Sequence, residues 1–117
     1  MINITREGRI IAAVVLGEFT LADFREIEQS VASASASAAS LRLLFDLREM
    51  AAFTVDMAWE EIKFSRAHGA EFDRIAVLTD SQWVAWSAWL NQAFIPADIQ
   101  VFDDPAEARG WIEEATP

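Results

Sequence analysis

Three short apolar segments recur along the chain, and each of them ends at an aspartate. They are Leu41–Asp46, Arg74–Asp80 and Asp98–Asp103. Each is too short for a free-standing helix and contains neither Pro nor Gly, a pattern typical of a strand buried on both faces of a sheet. Helical periodicity follows each segment. The pattern therefore predicts parallel strands joined by right-handed helical crossovers.

The chain ahead of these segments predicts a β-hairpin and then a helix. Ile2–Ile4 and Arg9–Leu16 read as the two arms, with Gly8 in the turn, and we expect Gly17 to end the second arm. Thr20 to Asp23 approximates a capping box with Asp in place of Glu, which predicts a helix start. After this helix, Ala and Ser alternate with the period of two that is typical of a strand. Side chains this small bury too little apolar area to hold a strand, so we interpret the segment as the frayed end of the helix followed by a turn.

Three further helices follow from capping signals. Thr54 is expected to begin the second, Asp80 or Ser81 the third, and Asp104 followed by Pro105 the fourth. The segment 47–53 reads as an irregular loop. The whole order is β-β-α-β-α-β-α-β-α. It predicts one α/β domain over residues 1–117, with a mostly parallel five-stranded sheet whose first strand lies antiparallel at an edge.

Composition narrows the classes of function. Hydrophobic residues make up 53% of the chain and include five Trp and eight Phe. This composition excludes an intrinsically disordered protein. The net charge of -10 repels nucleic acid and anionic membranes. No apolar run is long enough for a membrane-spanning helix, and we expect a cytoplasmic protein. The absence of cysteine excludes disulfides and thiolate chemistry.

Several strings resemble the SpoIIAA-like family, a branch of the STAS domains related to anti-sigma factor antagonists. The similar strings are Leu43–Asp46, Trp59–Phe64, His68–Asp80, and Val101-Phe102 followed by Ala108–Trp111. The resemblance implies a SpoIIAA/STAS-like sheet, also shared with the lipid-carrying CRAL-TRIO domains, and it implies no catalytic chemistry.

The resemblance also bears on phosphorylation. The better-known STAS antagonists carry Asp-Ser-Ser-Gly at the start of the second helix, and a partner kinase phosphorylates a serine there. The corresponding residues 53–58 contain neither serine nor glycine, and Thr54 is their only hydroxyl. The candidate phosphoacceptor is therefore Thr54, and the alternative is that Thr54 is simply a helix N-cap.

Acidic residues at the strand ends suggest a second kind of site. Asp46 and Asp80 end strands at the edge where open α/β sheets place ligands, so an acidic Mg²⁺ pocket is a hypothesis. Arg48 is close enough to Asp46 to neutralise it, and Asp80 has a capping role. Phosphate-loop, nucleophile-elbow and zinc-helix motifs are absent, and the lone His68 completes no triad. We predict no cofactor and no catalytic residue.

Helices that are apolar on two sides give the remaining candidates. In the second helix we interpret Val55 and Trp59 as part of the stripe facing the core, which leaves Met57 and Phe64 on the opposite side. A second set of apolar residues in the third helix lies off its main stripe. The candidates for an interface or the lip of a pocket are Met57, Phe64, Val84 and Trp89. The alternative is that neighbouring elements cover them.

These observations support three hypotheses. The first is a non-catalytic STAS-like interaction module that forms a homodimer or binds a regulatory protein partner. The second is a carrier of a small apolar or lipid ligand held between the sheet and the second and third helices, as in CRAL-TRIO domains. The third is an enzyme with an acidic metal pocket.

Overall fold

A single five-stranded sheet forms the centre of the molecule. The computed structural model describes residues 1–35, 40–68, 72–80 and 98–114. The strands are β1 (Ile2–Glu7), β2 (Ile10–Phe19), β3 (Leu41–Phe53), β4 (Phe72–Leu78) and β5 (Asp98–Phe102). The helices are α1 (Leu21–Ser35), α2 (Val55–His68) and α3 (Pro105–Glu113).

The sheet confirms the predicted fold class. The strands lie in the order in which they occur along the chain, β1 pairs antiparallel with β2, and the remaining neighbours are parallel. The helix predicted over 81–96 lies outside the described residues. Each of the three apolar segments from which the sheet was predicted is a strand of it.

Different helices cover the two faces of the sheet. Because every crossover steps in the same direction, right-handed crossovers place α1 and α2 on one face. The core on that face includes Phe24 and Ile27 of α1 and Met57 of α2. On the opposite face, Ala108 and Ile112 of α3 are fully buried in a smaller cluster with side chains of β3 and β4.

β2 does not end at Gly17, so that prediction is wrong. Gly17 has a φ of 73°, which Gly tolerates, and the strand continues to Phe19. The register with β3 shifts here: Val14 lies opposite Asp46, whereas Leu16 lies opposite Glu49. The extra residue on β3 is a β-bulge, and the glycine marks an irregular strand rather than a strand end.

The segment 47–53 is the outer half of β3, so its interpretation as an irregular loop is also wrong. It pairs with the end of β2, where Glu18 lies opposite Ala52 and Phe19 opposite Phe53. β4 stops at Leu78, opposite Asp46, and therefore does not reach this extension. A two-stranded, bulged ribbon that is largely exposed does not need the regular apolar alternation by which strands are recognised.

The capping signals predicted for the first and last helices are confirmed, whereas the cap predicted at Asp80 or Ser81 belongs to a helix outside the described residues. The Asp23 amide donates to Thr20 Oγ1 at 3.3 Å, and the Thr20 amide donates to Asp23 Oδ2 at 3.0 Å. Burial by itself raises the pKa of Asp23, but the hydrogen bonds from Thr20 and the N-terminal ammonium 3.4 Å away together outweigh it and leave the pKa below its ordinary value. At the start of α3, Asp104 accepts from the Ala106 amide at 2.8 Å, and Pro105 is the first residue of the helix.

A buried arginine holds the end of α3. The Arg42 side chain in β3 is 2% exposed, and its Nη1 donates to the carbonyl oxygen of Ile112 at 2.9 Å and to that of Glu114. Its Nε and Nη2 donate to Asp73 Oδ2 at 3.2 Å and 3.0 Å. A cation here satisfies carbonyls that a helix leaves free at its C-terminus and opposes the negative end of its dipole.

Arg74 of β4 supports the same end of the helix. Its Nη1 donates to the carbonyl oxygen of Trp111 at 2.9 Å, and its guanidinium carbon lies 4.9 Å from the centre of the Trp111 ring. This is a cation–π contact combined with a helix cap. The two arginines therefore fasten α3 to the central strands.

Candidate interaction surface on the second helix

Thr54 begins α2 as its N-cap. Thr54 Oγ1 accepts from the Met57 amide at 3.4 Å, while the Thr54 amide donates to the Phe19 carbonyl at 3.1 Å. This confirms the N-cap interpretation. The hydrogen bond from Thr54 also lowers the pKa of Asp56, so the hydroxyl serves as a donor to that carboxylate. A phosphoryl group on Thr54 would remove this donor and place a second anion beside Asp56. Phosphorylation of Thr54 stays a prediction.

The face of α2 that packs on the sheet is the one we expected to point outward. Met57 is 6% exposed and belongs to the main core. Phe64 packs against the same core, with its ring centre 5.6 Å from that of Phe24 and 6.3 Å from that of Phe72. The prediction that Met57 and Phe64 lie on the side away from the core is therefore wrong. Val84 and Trp89 lie outside the described residues.

Two large apolar side chains project from the other side of α2. Val55 is 85% exposed and Trp59 is 62% exposed, although both were assigned to the core stripe. Their spacing of four residues places them one helical turn apart on the same side, where their side chains are neighbours. We call this pair the outer patch. Burial of a Trp removes about 150–250 Å² from water, so its exposure leaves substantial apolar area available for a contact.

Charged side chains of both signs lie near the outer patch. Asp56 and Glu60 each follow directly after one of its two residues. Hydrogen bonding from Thr54 lowers the pKa of Asp56, and hydrogen bonding from Lys63 lowers that of Glu60. Both carboxylates are therefore charged at neutral pH. The Lys63 ammonium lies 3.3 Å from Glu60 Oε2, so these two charges offset each other. The positive charge of Arg25 also favours the ionised forms of Asp56 and Glu60.

Asp46 and Arg48 form a pair at the middle of β3. Arg48 Nη2 donates to Asp46 Oδ2 at 2.7 Å, and Arg48 Nε and the Arg48 amide donate to Oδ1 at 3.0 Å and 3.2 Å. The hydrogen bonds from the Arg48 side chain, the largest influence on Asp46, lower its pKa. Asp80 is exposed. Within the described ranges, no three His, Cys, Asp or Glu side chains are grouped to hold a metal ion.

Asp46→Asn is expected to lower the free energy of unfolding by less than about 1 kcal/mol at neutral pH, because it weakens the charged bonds to Arg48, which solvent screens. The folded-state pKa of Asp46 lies below its ordinary value of 3.8. The stabilisation is therefore complete well above that pH and is lost as the pH falls through the folded-state pKa. Urea unfolding of both proteins across an acid titration measures the difference, which should shrink towards zero.

The matched control for this pair is a double-mutant cycle. Arg48→Ala should also lower the free energy of unfolding, and the double variant should cost no more than the costlier of the two single variants. Additive losses, or a difference that persists unchanged into acid, would contradict the assignment of the pair.

The described helices include none that is long and apolar enough to cross a membrane.

Comparisons with known proteins show the same fold. A family model described as SpoIIAA-like matches residues 10–113. An uncharacterised protein with a SpoIIAA-like fold from Shewanella loihica PV-4 is similar at 25% identity and a TM-score of 0.78, covering 96% of this chain and 92% of that chain. The unphosphorylated anti-sigma factor antagonist SpoIIAA is 9% identical with a TM-score of 0.70, covering 98% and 100%. A search of curated proteins found no match.

Proposed function

The chain belongs to the SpoIIAA-like family, and from this premise we propose that it is a non-catalytic interaction module whose outer patch on α2 binds a protein partner. The observation that carries the proposal is the exposure of Val55 and Trp59 on the side of α2 opposite the buried Met57. One protein of the same fold is named an anti-sigma factor antagonist, which supports a regulatory protein as the partner.

The composition of the outer patch supports a protein contact. Trp is enriched among the residues that dominate binding energy at interfaces, because its large rigid surface loses little conformational entropy when it is buried. Two apolar residues one turn apart on a helix are also the arrangement by which a helix docks into a groove on another protein. The exposed part of the Trp59 side chain gains no burial energy in the folded chain.

Trp59→Ala is expected to weaken binding to the physiological partner about thirtyfold, while the free energy of unfolding changes by less than about 0.5 kcal/mol. The partner is first identified by photo-crosslinking from position 59. Its affinity for the wild type and the variant is then measured with both proteins purified. If the variant binds the partner with full affinity, the outer patch is not the binding surface.

The matched control is a pair of valines. Val55 and Val101 are both exposed, but Val55 lies on α2 and Val101 lies on the edge strand β5. Val55→Ala should weaken the same binding and Val101→Ala should not. If both valine variants bind equally well, the contact lies elsewhere on the molecule.

The other hypotheses stand as predictions. A homodimer is tested by sedimentation velocity of the wild type and of Trp59→Ala. The predicted apolar ligand would lie next to the helix expected over 81–96, outside the described residues, and native mass spectrometry after gentle purification tests it. The metal-pocket enzyme is tested by a shift in thermal midpoint with Mg²⁺ that is lost in Asp46→Asn.

A further inference from the structure

No further inference is drawn: the strongest candidate, the edge of the outer half of β3 (47–53) with which no described strand pairs on the side away from β2, is distorted by two register shifts, and nothing in the described residues shows what covers it.

Discussion

Arg42→Ala is expected to lower the free energy of unfolding by about 4 kcal/mol. The buried guanidinium bridges Asp73 and the last turn of α3, with donor–acceptor distances of 2.9 Å to the Ile112 carbonyl and 3.0 Å to Asp73 from Nη2. Its removal leaves the Ile112 and Glu114 carbonyls without their arginine donor and leaves Asp73 with the longer contact to Arg9 at 3.8 Å. Leaving such groups buried and unpaired costs more than the bonds themselves contribute. Equilibrium urea denaturation measures the loss.

The control for Arg42 is an arginine on the surface of the same region. Arg109 pairs with Glu7 and Glu113 at 2.8 Å in each case, and its side chain is 36% exposed. Arg109→Ala should cost less than about 1 kcal/mol, because water replaces the lost ion pairs. Arg42→Lys keeps the charge but cannot bridge three acceptors, so it should remain clearly destabilised. If Arg42→Ala and Arg109→Ala cost the same, Arg42 does not hold α3.

Met57→Ala should lower the free energy of unfolding by about 3 kcal/mol. Met57 packs among the core side chains between α2 and the sheet and is 6% exposed, so the truncation leaves a cavity that its neighbours fill only in part. The variant to compare with it is Trp59→Ala, two residues away on the same helix. Thermal and urea denaturation of the two alanine variants report which side of α2 faces the core.

The comparison with Trp59→Ala decides which side of α2 faces the core. Trp59→Ala removes a larger side chain and yet should change stability by less than about 0.5 kcal/mol, because 62% of Trp59 is already exposed to water. If Trp59→Ala were instead the costlier change, α2 would be rotated so that Val55 and Trp59 face the core. The outer patch and the proposal built on it would then be lost.

The capping residues were predictable because each signal is local. Thr20 with Asp23, Thr54, and Asp104 with Pro105 all start helices as expected, since a short side chain and the backbone amides two or three residues away are enough to form the cap. The acidic residue Asp46 and its neighbour Arg48 were also recognisable as a pair, because they lie only two positions apart.

The candidate site was less predictable. α2 carries apolar residues on opposite sides, and a helical wheel ranks these sides by size and number but does not show where the sheet lies. The larger set, with Val55 and Trp59, was therefore assigned to the core. The structure instead places Met57 and Phe64 there. Arg42 gave a usable signal, a charge between the buried Leu41 and Leu43, but its partners lie thirty-one to seventy-two positions further along the chain.

The sequence by itself determined which segments form the central strands, where the three described helices start, and the order of these elements, because strand burial and helix capping depend on residues that are close together in the chain. Only the tertiary structure decided how α2 is rotated, that β3 extends as a ribbon along the end of β2, and which groups Arg42 holds. These features depend on contacts between residues distant in the chain, and one apolar pattern is compatible with more than one such arrangement. The outer patch of α2, and with it the proposed function, belongs to this second group.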